Sequence, residues 1–70
     1  MKYYNVCTFE AGRWVLEFGD YSRTVAHEEA DAFYDMGTKR KDIKVIITDD
    51  TQESVEAAIT KLNSTTKKSV

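Results

Sequence analysis

The sequence of 70 residues has a single cysteine, no long apolar run and no large excess of charge of one sign. A lone cysteine, Cys7, cannot form an internal disulfide or a cysteine-based metal site. No stretch approaches the roughly 20 consecutive apolar residues that a membrane-spanning helix requires. The net charge is −2, whereas general nucleic-acid binders are typically strongly basic, so the charge does not favour that class of protein.

The N-terminus has no apolar core of a secretory signal peptide, because strand-forming residues begin at once. We therefore expect a cytoplasmic protein. The 41% hydrophobic and 31% charged residues are typical of a globular domain. We expect one domain over residues 1–63, followed by a frayed polar tail over residues 64–70.

Aromatic residues concentrate in a first hairpin that runs from Lys2 to Phe18. Ala11-Gly12 lies between two runs rich in aromatic and β-branched residues and predicts a tight two-residue turn. The resulting register places Tyr3, Cys7, Phe9, Trp14, Leu16 and Phe18 on one face and Tyr4, Val6, Thr8, Val15 and Glu17 on the other. We expect the first face to form the core. The Cys7 thiol would then be a small buried hydrophobe rather than a nucleophile.

The segment after the hairpin has two interpretations. Gly19-Asp20 has the spacing of a second tight turn, so residues 21–25 would form a short third strand. The rival interpretation begins a helix here, with Ser22 or Thr24 as its N-cap. We favour the strand.

Three further elements follow. The spacing of apolar residues, Tyr34 included, predicts a helix over residues 26–36. Alternation predicts a strand over residues 42–48. Asp50 followed by Glu53 resembles a capping box and predicts a helix from residue 51 to about residue 63.

This order predicts a two-layer α+β fold, β-β-β-α-β-α, with a small, mostly antiparallel sheet. A right-handed crossover through the first helix would give the strand order 3-2-1-4, with the fourth strand parallel to the first. Both helices would cover one face of the sheet. The open face would then carry an apolar contact patch that could also hold a second copy of the chain, formed by Tyr4, Val6, Val15 and Ile46.

Acidic residues form the main candidate surface. Residues 1–38 carry a net charge of −4 and residues 39–70 a net charge of +2. The expected partner-binding residues are Glu28, Glu29, Asp31 and Asp35 on the first helix, with Asp49 and Asp50 after the last strand. Together with Glu10 and His27, most of them would meet at one end of the sheet. A metal or acid/base site there is a weaker interpretation than helix capping, so we expect no enzyme activity, metal or cofactor.

Basic residues offer an alternative surface. Lys39, Arg40, Lys41 and Lys44 could contact phosphates, so a small nucleic-acid-binding module is the alternative function. The basic residues just after the first helix also complement the negative end of its dipole.

The run GRWVLEF followed by HEEADAF resembles, over about half the chain, the arm-binding modules of tyrosine recombinases, and this implies three strands before a helix. In size, acidity and lack of cofactor motifs, the chain is similar to accessory proteins of phages and mobile elements, anti-CRISPRs among them. That resemblance implies a non-enzymatic inhibitor that occludes a basic site on a host protein through its acidic surface.

Overall fold

The computed structural model describes residues 1–67 as three antiparallel strands and two helices. The elements are β1 (Lys2–Glu10), β2 (Arg13–Asp20), α1 (Arg23–Asp35), a short 3-10 turn (Arg40–Asp42), β3 (Ile43–Asp49) and α2 (Gln52–Lys67). The predicted α+β class and the mostly antiparallel sheet are confirmed. The number of strands, their order and the placement of the helices differ from the prediction.

The first hairpin forms as predicted near its turn. Ala11 and Gly12 have φ angles of 53° and 81°, as a tight turn with two left-handed residues requires. The ladder runs in the predicted register from Glu10 opposite Arg13 to Cys7 opposite Leu16.

Beyond that point a bulge shifts the register. Val6 lies opposite Phe18 instead of Glu17, because Glu17 is an extra residue on β2. The Glu17 carboxylate accepts a 2.7 Å hydrogen bond from the Thr8 hydroxyl. Phe18 therefore lies on the face of Val6, and the predicted placement of Phe18 beside Trp14 is wrong.

The predicted third strand is wrong, and the rival interpretation of a helix is confirmed. The Asp20 carboxylate accepts a 2.7 Å hydrogen bond from the backbone N–H of Ser22. The Ser22 hydroxyl in turn accepts from the N–H of Val25 at 3.2 Å and caps α1. The chain thus passes from β2 into α1 within two residues, which leaves no room for a strand over 21–25.

Gly19 belongs to β2 rather than to a turn. It lies opposite Asn5, and the ring of Tyr3 packs directly over it. A Cβ atom at Gly19 would come within 2.6 Å of Cε2 of Tyr3. The glycine that suggested a turn in the sequence is therefore required because an aromatic ring occupies the space of a side chain.

β3 pairs with the central strand β1, as predicted, but in the opposite direction. Thr8 lies opposite Ile43 and Lys2 lies opposite Asp49, so the two strands are antiparallel. The sheet order is β2-β1-β3. The predicted order 3-2-1-4 and the parallel pairing are wrong, because removal of one strand reverses the direction in which the chain enters β3.

The two helices pack on opposite faces of the sheet, not on one face. Under α1 lies a core of Val6, Ala26 and Ala30, flanked by Tyr4, Phe18, Phe33, Ile43 and Val45. α2 lies against side chains of the other face, among them Trp14, Leu16 and Ile46. Neighbouring strand residues point to opposite faces. Val45 therefore packs under α1 and Ile46 against α2.

α2 begins one residue later than the capping box predicts. Thr51 is its cap, because the Thr51 hydroxyl accepts a 3.2 Å hydrogen bond from the N–H of Ser54. The helix continues to Lys67, past the predicted end near residue 63. The rest of the predicted tail, residues 68–70, lies outside the described residues. Within residues 1–67, neither helix has the length and apolarity to cross a membrane.

Asn63 attaches α2 to the outer edge of β2. Its side-chain oxygen accepts a 2.6 Å hydrogen bond from the N–H of Trp14, and its side-chain nitrogen donates to the Trp14 carbonyl at 3.2 Å. The Asn63 amide thus makes the two hydrogen bonds to Trp14 that a neighbouring strand would otherwise make. Both edge groups of Trp14 are satisfied by α2.

Candidate functional site

The outer face of α1 carries a stripe of carboxylates. Glu28, Asp31 and Asp35 are exposed and follow one another at i, i+3 and i+7, which places them on one side of a helix. Ala26 and Ala30 are buried on the opposite side against the sheet. We call these three carboxylates the acidic stripe. Glu29, the fourth predicted residue of α1, is half-buried on its flank.

A residue of the basic segment folds back onto this stripe. The Arg40 guanidinium lies 3.0 Å from the Asp31 carboxylate and 4.2 Å from the centre of the Tyr34 ring. Both charged side chains are more than half exposed, at 61% and 63%, so the pair contributes little to stability. The other two carboxylates of the stripe, those of Glu28 and Asp35, are exposed to solvent.

Tyr34 is a surface residue that the sequence analysis assigned to the apolar stripe of its helix. It is 47% exposed and supports the guanidinium of Arg40. An arginine six residues beyond a tyrosine gives no recognisable pattern, because the pairing depends on the path of the loop between them.

Asp49 and Asp50 lie apart from the hairpin tip, contrary to the prediction. Because β3 is antiparallel to β1, Asp49 lies opposite Lys2, at the far end of the sheet from Glu10. Asp50 accepts a 3.2 Å hydrogen bond from the Tyr21 hydroxyl, and this raises the pKa of Tyr21. The predicted gathering of these acids with Glu10 at one end is therefore wrong.

Two aromatic rings and a glycine form the contact to which Asp50 belongs. Tyr21 packs edge-on against Tyr3 with the ring centres 5.0 Å apart. Tyr3 in turn covers Gly19. Asp50 therefore belongs to a local contact that joins the start of α1 to the start of α2.

The predicted apolar patch does not form a common surface. Val6 is fully buried under α1, and Tyr4 packs against the same core. Ile46 lies on the opposite face, next to Ala58 and Leu62 of α2. Within residues 1–67 both faces of the sheet carry a helix, so these residues do not share an open face.

The basic residues of the alternative surface are divided between two environments. Arg40 contacts Asp31 and Tyr34. Lys44 lies with its Nζ atom 5.4 Å from the centre of the Trp14 ring, on the α2 side of the sheet. Lys39 and Lys41 are exposed around the 3-10 turn.

Cys7 has no features of a reactive thiol. It is fully buried, and burial together with the nearby Glu17 carboxylate raises its pKa to about 11. Its predicted burial on the core face is confirmed. His27 is exposed on α1. Residues 1–67 contain no group of three or more His, Cys, Asp or Glu side chains arranged to hold a metal ion.

A shallow groove between α2 and β2 was not predicted. It has a volume of about 430 Å³ and is lined by Arg13, Trp14, Val15, Leu16, Val55, Glu56, Ile59 and Thr60. Leu16, 46% exposed, forms part of its wall. The apolar stripe of α2 suggested a buried face, but the sequence does not show that the helix leaves part of it uncovered.

No protein-family model matches the chain, and no curated protein or solved structure is significantly similar to it. The features that bear on function are therefore the charge, exposure and contacts of the described residues. The acidic stripe is a set of three predicted site residues that the fold brings onto one exposed side of a helix.

Proposed function

We propose that this chain is a small non-enzymatic binding protein that uses the acidic stripe of α1 to cover a basic site on a partner protein. The observation that carries the proposal is the arrangement of Glu28, Asp31 and Asp35 on one exposed side of a helix whose other side is fixed to the sheet. A rigid helix presents its charges at fixed spacing. Complementary charge of this kind raises the association rate and the selectivity for basic surfaces.

Arg40 is part of this proposed surface. It neutralises Asp31 in the free protein through an exposed pair that a competing basic group can displace. A lysine or arginine of the partner would take the place of Arg40, and Arg40 would keep its contact with Tyr34. We therefore expect Glu28 and Asp35 to make the first contacts and Asp31 to join them once bound.

The experiment compares capture of partners from the native host by immobilised wild-type protein and by the double variant Glu28→Lys/Asp35→Lys, with quantification by mass spectrometry. Both substituted side chains are exposed, so the fold should persist, and circular dichroism checks this. A partner with a basic surface should be enriched by the wild type and lost with the variant. Its capture should also weaken as salt is raised from 50 to about 300 mM, because exposed charges are increasingly screened.

The matched control is Glu10→Lys/Glu56→Lys, which changes the net charge by the same amount away from α1. Both of its positions are exposed. This variant should capture the partner as the wild type does. Equal loss with both variants would show that only net charge matters, and retention with Glu28→Lys/Asp35→Lys would contradict the proposal.

A more specific form of the proposal is a stoichiometric inhibitor of phage or mobile-element origin, similar to anti-CRISPRs, whose target is a nucleic-acid-binding site of a host protein. Its support is the small size of the chain and the likeness of spaced carboxylates to backbone phosphates. The captured partner should then lose nucleic-acid binding when the protein is added in equimolar amount. If the protein itself binds DNA or RNA at low salt through Lys39 and Lys41, the alternative of a nucleic-acid-binding module replaces this proposal.

A further inference from the structure

The outer edge of β3 carries free backbone groups. Along an edge strand, every second residue turns its N–H and C=O away from the sheet. Ile43 donates its N–H to the carbonyl of Arg40 and not to β1, which fixes this alternation. Val45 and Ile47 therefore point their backbone groups outward. Within residues 1–67 no strand lies beside this edge.

The two edges of the sheet differ in how they are protected against pairing with another strand. On the β2 side, the Asn63 amide occupies both backbone groups of Trp14, and the bulge at Glu17 interrupts the edge. Bulges and covering elements are common protections against pairing with another chain. β3 has neither a bulge nor a proline along its length.

Four of the seven side chains of β3 are apolar, namely Ile43, Val45, Ile46 and Ile47. β3 reads IKVIITD, and Ile47 is 59% exposed although it is a large hydrophobic residue. Val45 beside it is half-buried under α1. A regular, mostly apolar edge strand with free backbone groups is a template for the addition of another strand.

We propose that β3 pairs with β3 of a second copy of the chain, antiparallel and around a two-fold axis at Ile46. In this register the N–H and C=O of Val45 bond those of Ile47 of the other copy, and the symmetric pair does the same. These are the groups that point outward without a partner. The ends of the edge are already used, because the Ile43 N–H bonds Arg40 and the Asp49 carbonyl accepts from the Thr48 hydroxyl at 2.7 Å.

The charges at the two ends of β3 favour a second copy of the chain as the pairing partner. The residues before β3, Lys39 to Lys41, are basic, and Asp49-Asp50 at its end is acidic. Antiparallel pairing brings the basic end of each copy to the acidic end of the other, so both ends of the interface are complementary. Ile43 lies opposite Asp49 of the other copy, and Lys41, in the 3-10 turn just before β3, lies at the same end of the interface. Parallel pairing would place like charges together.

The strand contacts of the dimer involve β3 and none of the three carboxylates of the acidic stripe, so this inference does not rest on the proposed partner-binding function. The dimer joins two sheets through β3 into one sheet of six strands. It leaves the outer face of α1 exposed in both copies, with the two stripes related by the two-fold axis.

The first test places proline at Ile47 and measures the dimer dissociation constant by sedimentation equilibrium. Proline has no N–H and fits an edge strand whose N–H faces solvent, so Ile47→Pro removes a bond of the dimer and leaves the ladder with β1 intact. Ile47→Ala keeps the N–H and is the matched control for the lost side chain. We expect self-association of the wild type, a weaker dimer with Ile47→Ala and a monomer with Ile47→Pro.

The second test uses charge reversal at exposed positions, which keeps every backbone N–H and C=O of β3, and circular dichroism checks that each variant is folded. Lys41→Glu and Asp49→Lys should each weaken self-association about tenfold, because each creates like-charge contacts at both ends of the interface. A mixture of the two variants should restore the dimer as a heterodimer, since each end then pairs opposite charges. Glu56→Lys, with the same charge change as Asp49→Lys, should associate like the wild type.

A wild-type protein that stays monomeric at millimolar concentration would overturn the inference. It would also be overturned by a dimer that Ile47→Pro leaves intact while circular dichroism shows a folded chain. Failure of the mixture to restore association, with both single variants weakened, would contradict the proposed antiparallel pairing.

Discussion

The turn between β1 and β2 shows how one residue limits stability. Ala11 has a φ of 53°, a left-handed conformation that costs a residue with a Cβ about 1 kcal/mol. We predict that Ala11→Asn raises the free energy of unfolding by about 0.5–1 kcal/mol, because asparagine accepts this conformation. Gly12→Ala should lower it by about 1 kcal/mol, although a Cβ there would touch nothing within 4 Å. Urea denaturation measures both, and equal stability of all three proteins would contradict this account of the turn.

Cys7 should make stability sensitive to alkaline pH. Its pKa is about 11 in the folded protein and 9.0 as the ordinary value, so the folded state holds the proton more tightly than the unfolded state. The resulting stability is complete below pH 9 and is lost as the pH rises towards 11. We predict that the free energy of unfolding falls more steeply over this range for the wild type than for Cys7→Ala, as measured by urea denaturation at each pH. Parallel pH profiles would show that Cys7 does not titrate as its burial requires.

At the scale of elements, the attachment of α2 to the sheet depends on Asn63. Its amide makes two hydrogen bonds, at 2.6 and 3.2 Å, to the backbone of the buried residue Trp14. Asn63→Ala should lower the free energy of unfolding by about 1–3 kcal/mol, because both backbone groups lose their partner. Gln52→Ala, which removes an exposed bond to Glu56 on the same helix, should cost less than about 0.5 kcal/mol. Thermal or urea denaturation compares the two, and similar small losses would contradict the role of Asn63.

The prediction from sequence was sound where local chemistry decides the structure. The hairpin turn at Ala11-Gly12, the helices and the strand after residue 42 follow from short-range patterns. The turn predicted at Gly19-Asp20 is wrong, because the sequence does not distinguish a glycine under an aromatic ring from a glycine in a turn. The bulge at Glu17, whose carboxylate accepts a hydrogen bond from Thr8 on the neighbouring strand, likewise has no local sequence pattern.

At the scale of the whole molecule, the strand wrongly predicted over residues 21–25 led to the wrong sheet topology. Without a strand over 21–25, β3 runs antiparallel to β1, and Asp49 and Asp50 move to the opposite end of the sheet from Glu10. Of the predicted acidic set, the residues on α1 share a surface because a helix face is a local property. Asp49 and Asp50 lie at the opposite end of the sheet from Glu10, because their position depends on strand direction.

The division of the chain into two helical layers also separates its surfaces. α1 presents carboxylates to solvent, and β3 presents a free edge between the layers. Partner binding through α1 and self-association through β3 can therefore occur together. A dimer would offer two acidic stripes, and a partner with two basic sites would bind it more tightly than it binds a monomer.

The most direct measurement of the central claim is a chemical-shift map of the ¹⁵N-labelled protein in complex with the partner captured from the host. The account predicts that the largest changes fall on the outer face of α1, at Glu28, Asp31 and Asp35, and on Arg40 as it leaves Asp31. Changes confined to Lys39, Lys41 and Lys44, or to the groove between α2 and β2, with α1 unaffected, would contradict it.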